Sequence, residues 1–280
     1  YVGMLCDRLP ISFVFSGMQI LTAEQIRAWD QYTIRHEPIS SADLMERAAG
    51  QCVKWIEQQA WQHRPFCIFC GKGNNGGDGL AIGRLLLGEG YKVAFHILEF
   101  GKAGSDDFQV NLQRLHKLGI ADLHFLQDEN HFPTIQPNDL LIDALYGSGL
   151  NKPLEGLSVS LVNHVNASRA PVIAIDLPSG LFMDQSAKEK PVITATHTLT
   201  FECMKTALLV QENAAFVGQV HVLPIGLHPQ YLQTLTATPL LLDRPMIQGL
   251  FKPRNRFAHK GSFGHALLVG GSRGKIGAMV

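Results

Sequence analysis

No stretch of the sequence stays apolar for the roughly 18 residues that a membrane-spanning helix needs, so a membrane-embedded chain is not expected. Charge of one sign is not in excess either: Lys plus Arg number 24 and Asp plus Glu number 24. With no basic surplus, bulk charge points neither to nucleic acid nor to an anionic membrane, and binding has to come from local sites. Cysteine is scarce, five residues in all, odd in number and scattered. That usage fits reduced thiols and a cytoplasmic location better than a disulfide framework. Cys67 and Cys70 do form C-x-x-C, but inside an apolar run. Strand residues three apart point to opposite faces and cannot share a metal or a disulfide without distortion. The 12 histidines show neither H-x-x-x-H nor H-E-x-x-H spacing, so none is assigned to a metal.

What is present is enough for a full core: 280 residues, 46% hydrophobic and only 17% charged. The opening "YVGMLCDRLPISFVFSG" makes a poor signal peptide, with one arginine and a short apolar run. Residues 1–17 are therefore read as a leader or tag outside the fold, and Met18 as its natural start. Thr22 to Gln25 and Ser40 to Asp43 carry the hydroxyl-then-acid-or-amide spacing that opens helices. In the second helix Met45, Ala48, Ala49, Cys52, Val53 and Ile56 recur every three or four residues and form one apolar face.

From Phe66 onward, short apolar runs alternate with helical patterns. The runs are 66–70, 93–98, 140–145 and 172–175, with helices expected near 78–89, 106–118 and 157–167; added strands follow at 196–201 and 219–223. Alternation of this kind predicts an α/β fold with a doubly wound, mainly parallel sheet between helical layers, a Rossmann-like arrangement. After Pro224, residues 226–251 hold several prolines and no long periodic segment, and read as a linker or wrapping arm. A further strand, 265–269, is expected in an incomplete second domain at 252–280.

Ligands of such sheets bind beyond the carboxyl ends of the strands, and three of those ends are unusual. After the first comes "GKGNNGGDGLAIGRLL" (71–86), after the third "DALYGSGLNKPLEG" (143–156), after the fourth "DLPSG" (176–180). The first contains G-x-G-x-x-G, followed by Glu99 about where a ribose partner would stand, which suggests a nicotinamide oxidoreductase. Against it, Asp78 at a helix start would repel a pyrophosphate on the same amides; the plainer reading of Asp78 is a helix cap. Asn74, Asn75 and Asp78 facing Asp143, Asp176 and Ser179 supply many oxygens and no thiolate or imidazole. Such a set suits a hard cation and not zinc. The segment Gly147 to Pro153 has no acid and carries Lys152, which makes it the better phosphate candidate.

GNNGGDG followed by Arg84, DALYGSGL, DLPSG and "THTLTFECMK" (196–205), with "MQILTAEQIRAWD" (18–30) and "LMERAAG" (44–50) ahead of them, resemble the NAD(P)H-hydrate epimerases, the YjeF N-terminal domain family. The resemblance covers about residues 18–225, and residues 252–280 resemble the beginning of an ADP- or ATP-dependent NAD(P)H-hydrate dehydratase of ribokinase-like fold. It implies epimerisation of NADHX and NADPHX, the cofactors hydrated at C6 of the nicotinamide ring. It implies substrate contacts from Asn74, Asn75, Gly76, Gly77 and Asp78, from Gly147, Ser148, Gly149, Leu150, Asn151, Lys152 and Pro153, and from Asp176. It also implies potassium ligands at Asn75, Asp143 and Ser179. On the dehydratase side it implies a substrate-side turn at Ala278 and ADP or ATP as cofactor. The expected acid and base is Asp143. The expected partners are the small-molecule substrate and further copies of the chain, with no nucleic acid or membrane. Two other readings stay open, a nicotinamide oxidoreductase and a non-catalytic binding scaffold on the same fold.

Overall fold

Thr22 opens the first helix, α1 (Ala23–His36), with a reciprocal cap: its hydroxyl accepts from Gln25 N at 3.2 Å, and the Gln25 side chain accepts from Thr22 N at 2.9 Å. Ser40 caps α2 (Ser41–Glu57) by accepting from Asp43 N. These contacts satisfy first-turn amides that the helices leave without partners. The computed structural model describes residues 18–61, 63–187, 190–236, 238–250 and 256–259. Leader residues 1–17, the expected strand 265–269 and Ala278 lie outside the described residues.

Strands and helices then alternate: β1 (Phe66–Cys70), α3 (Asn74–Gly88), β2 (Val93–Leu98), α4 (Asp106–His116), β3 (Asp122–Leu126), β4 (Leu140–Ala144), α5 (Leu157–Ser168), β5 (Val172–Ile175), β6 (His197–Phe201), α6 (Ala214–Val217), β7 (Gln219–Leu223) and α7 (Gln230–Thr234). The seven strands run in the order β3-β2-β1-β4-β5-β6-β7, every neighbouring pair parallel. Covered on both faces, the central strands are buried almost throughout and read as continuous apolar runs. Alternate residues serve the two faces: Phe66, Ile68, Cys70, Leu140, Ile142 and Ala144 pack with the inner residues of α2, α3 and α4. Phe69 and Leu141 pack with Leu161, Val162 and Val165 of α5, and Cys67 lies against that second cluster. Cys67 and Cys70 therefore point to opposite faces, and both are free thiols.

β3 is the strand that hydropathy does not announce. Its sequence is Asp-Leu-His-Phe-Leu, and only Leu126 is buried, because an edge strand is covered on fewer sides. The other departure is the start of α3, at Asn74 and not near residue 78. Glycine costs up to about 1 kcal/mol in a helix interior, yet Gly76, Gly77, Gly79 and Gly83 all lie in this one. A methyl at Gly79 would sit 2.5 Å from Ala144 Cβ, and one at Gly83 would sit 2.2 Å from Phe95 Cε1. These glycines let the helix lie directly on the sheet.

Ile225, Leu227 and Tyr231 pack against Leu21 and Trp29, as a wrapping arm would. α7 stacks Tyr231 on Trp29 of α1 at 6.0 Å between ring centroids, and Trp29 Nε1 donates to His228 O at 2.9 Å. Residues Met18–Leu241 form one compact unit; the described residues after Leu241 belong to another, which contains α8 (Arg244–Leu250). No helix among the described residues is long and apolar enough to cross a membrane.

Candidate active site

β1 and β4 lie side by side in register, Cys70 opposite Ala144, and the chain leaves them toward opposite edges of the sheet. A crevice opens at the carboxyl ends where the strand order reverses, as doubly wound sheets require. Here it is a cavity of about 890 Å³, large enough for a dinucleotide. Asn74, Asn75 and Asp78 at the start of α3, the whole segment Gly147 to Pro153, and Asp176 all line it. Gly76 and Gly77 do not. A methyl at Gly76 would fall 1.8 Å from Gly71 O, and one at Gly77 would fall 2.8 Å from Met45 Sδ. Both serve close packing beneath the cavity wall.

Asp176 holds the left-handed conformation, φ 66°, which Asp tolerates better than most side chains. The turn aims its carboxylate at Lys205: Nζ to Oδ1 is 2.9 Å, and Ser148 N donates to Oδ2 at 3.0 Å. Burial pushes the Asp176 carboxyl up, but the Lys205 charge and the bonds from Ser148 and Lys205 outweigh it and hold the carboxyl below its ordinary range. Lys205 is 1% exposed and also donates to Phe201 O at 2.6 Å. From sequence a lone lysine past a strand reads as solvated; nothing local reveals that Asp176, on the neighbouring strand, buries it.

Asp143 is placed differently. Its backbone follows Ile142, so its side chain falls on the α5 face of the sheet, and it does not line the cavity. Ser179 closes over it: Ser179 N donates to Oδ2 at 2.7 Å, Ser179 Oγ to Oδ1 at 2.5 Å, and Leu145 N approaches Oδ1 at 3.3 Å. Burial pushes the Asp143 carboxyl up to about 6 despite these donors. Tyr146 N donates to Ser179 Oγ at 2.8 Å, which ties this floor to the segment lining the cavity above.

Asp78 is no cap, since α3 is capped at Gly73 and Asp78 lies beyond its first turn. Burial first, then Asp176, Asp30 and Asp107, hold its carboxyl well above the ordinary value. Asp30, on α1, lines the same cavity. Burial and Asp176 push Asp30 up to about 7, with Lys205 pulling down and Glu202 adding to the rise. Asp30 escaped motif reading, although a signal exists: it is an acid on the inward face of an amphipathic helix, between buried Trp29 and Thr33. Glu99, the ribose partner of the oxidoreductase reading, is occupied by Lys72 and by Gly101 N at 2.7 Å.

The Asn75 side chain is a buried orphan of the site. Both its amide atoms are buried without a hydrogen-bond partner, and a methyl at Gly147 would meet Asn75 Oδ1 at 3.1 Å and Asp176 Oδ2 at 3.2 Å. A buried amide costs stability unless something satisfies it, so Asn75 is shaped for a group brought from outside the chain. No hydrogen bond joins Asn75 to Asp143 or Ser179.

Fold and site define a class: a doubly wound α/β protein with a dinucleotide-sized cavity at the sheet's switch point. A family model described as "YjeF-related protein N-terminus" matches residues 41–207, and the chain belongs to that family. It is 36% identical over 204 residues to a protein of Limosilactobacillus fermentum named NAD(P)H-hydrate epimerase, covering 73% of this chain and 95% of that one. It is 34% identical over 269 residues to a protein of Moorella thermoacetica named bifunctional NAD(P)H-hydrate repair enzyme Nnr, covering 94% of this chain and 51% of the relative. The chain thus spans about half the length of that bifunctional relative. The crystal structure of yeast YNL200c shares the fold, with a TM-score of 0.62 at 17% identity over 86% of this chain and 97% of the yeast one.

Proposed function

We propose that the cavity binds NADHX or NADPHX and interconverts their R and S forms. The carrying observation is the Asp176–Lys205 pair set in a dinucleotide-sized cavity beside an acid-free backbone segment, Gly147 to Pro153. The segment, with Lys152, takes the phosphates. Asp176 stays ionised and faces the hydrated ring. When the ring nitrogen lone pair expels the C6 hydroxyl, positive charge develops on the ring, and a fixed carboxylate lowers that barrier. Water then adds from the other face. An oxidoreductase reading loses support because Glu99 is engaged, and a pure scaffold leaves the buried pair and the orphaned Asn75 without a use.

Asp143 was expected to be the acid and base. Its place beneath the cavity, next to the Ser179 hydroxyl, supports a different role for it, holding a cation. The residues fit potassium: a buried amide without a partner, a hydroxyl and a single carboxylate are hard oxygen donors of low total charge. Asn75, Asp143 and Ser179 would hold the ion, and it would supply fixed positive charge beneath the strand ends. Potassium-dependent ordering of this floor belongs to the same proposal. So does the dehydratase portion with its ADP or ATP, supported by a match over 94% of the chain to a bifunctional relative, which reaches outside Met18–Leu241.

The test is to incubate pure S-NADHX with the chain, without ATP, and follow it by proton NMR. Appearance of the R form well above the spontaneous rate is expected. Exchange at the spontaneous rate alone would leave the scaffold reading in possession.

A further inference from the structure

We propose that Asp30 on α1 is the proton donor to the departing C6 hydroxyl, an inference that rests on the epimerase reading. Four observations carry it. Asp30 lines the cavity from the α1 wall, in the company of Ala23, Ile26, Arg27 and Ile34 of the same helix. Spacings of three and four residues put these on one face, and Asp30 is the carboxyl within it. Among the described residues its carboxyl has no hydrogen bond or ion pair, unlike Asp143 and Asp176. A carboxyl on the inward face of an amphipathic helix breaks the pattern that stabilises that helix. Such local violations without a structural gain mark functional positions.

The acids of the strand ends and of α3 are less suited. Asp143 is beneath the cavity, where Ser179 closes over it, and Asp176 is fixed as an anion by Lys205. Asp78, whose carboxyl burial and then Asp176 hold well above its ordinary value, sits on the opposite wall at the start of α3. Asp30 faces Asp176, Lys205 and Glu202 from the strand ends, Asp78 from α3 and Arg27 from its own helix. Burial first, and then Asp176 against Lys205, push its carboxyl up to about 7, in the range where general acids are most effective at neutral pH.

The step balances without another reactant than water. The Asp30 carboxyl gives its proton to the C6 hydroxyl oxygen as the C–O bond breaks, and that bonding pair leaves with the water formed. The ring nitrogen pair becomes the N=C6 double bond. A water oxygen then bonds C6 from the other face, and the double-bond pair returns to nitrogen. The proton this water sheds returns through solvent to the Asp30 carboxylate.

The experiment compares wild type with Asp30→Asn and Asp30→Glu in the full chain, measuring kcat and KM from pH 5 to 9 with the spontaneous rate subtracted. Asn is isosteric and neutral, so the fold is expected to hold. Asp30→Asn should melt no higher than wild type at pH 4 and higher at pH 8. The reason is that between the unfolded value of 3.8 and about 7 the unfolded state ionises while the native state keeps its proton, so wild-type stability falls as pH rises. We expect kcat of Asp30→Asn to fall by about 100-fold or more with KM little changed, the wild-type decline of kcat above neutrality to disappear, and Asp30→Glu to recover part of the rate. A near-wild-type kcat in Asp30→Asn, an unaltered pH profile, or a loss confined to KM overturns the role. If wild type itself shows no exchange, the epimerase reading falls, and this role with it. If wild type exchanges and Asp30→Asn does so equally, only the role of Asp30 falls.

Discussion

Asp143 at the end of β4 and Asp176 just past the end of β5 stand on adjacent strands, yet Ser179 closes over the first while the second opens onto the cavity against Lys205. Parity separates them. Asp143 continues the alternation that sends Leu141 to the α5 face, whereas the left-handed turn at Asp176 takes the chain out of that alternation. The site therefore has a floor of bonded oxygens, the proposed place of the ion, and a wall of carboxyls lining the cavity, the proposed place of the substrate. An acid at a strand end is not by itself a catalyst. What its neighbours donate decides whether it can reach a ligand.

The largest effect is expected from Lys205→Met. It leaves Asp176 buried and unpaired, and losing one partner of a buried pair costs about 3–5 kcal/mol; the urea midpoint should fall accordingly and epimerisation with it. A midpoint within error of wild type would mean that the wall is solvated and the contrast with the floor is false. The floor is probed by Asn75→Ala. Its side chain has no bond to lose, so the variant should melt close to wild type without potassium. Potassium chloride exchanged for choline chloride at constant ionic strength should stabilise wild type by about 1.4 kcal/mol at ten times its Kd, and Asn75→Ala much less. An equal response from both would remove Asn75 from the ion site. The smallest effect is expected from Glu99→Ala, outside both regions. Its half-buried pairing with Lys72 near the surface is worth about 0–1 kcal/mol, and epimerisation should be unchanged. A large loss of dinucleotide affinity in isothermal titration would return the oxidoreductase reading to contention.

Much of the architecture is legible in the residues. The apolar runs at 66–70, 93–98 and 172–175 match their strands, and the caps at Thr22 and Ser40 are in place. β3 is illegible because its partial exposure lets it carry Asp122 and His124. The glycines after β1 imitate a phosphate-binding turn because close helix-on-sheet packing and close approach to phosphate both ask for a missing Cβ. Gly71 answers to Leu145 O and Gly76 to Gly71 O.

Of the site, sequence alone determined that three polar strand ends converge, because the order of strands and helices forces them to one edge of a parallel sheet. It also determined which donor types are available there, oxygens in place of thiolates. Only the tertiary structure decided that Asp30, more than a hundred residues from Asp176 in the chain, shares its cavity, that Lys205 is buried against Asp176, and that Asp143 is not exposed to the cavity. Desolvation and pairing set the protonation of a carboxyl, and both depend on neighbours brought together from distant parts of the chain.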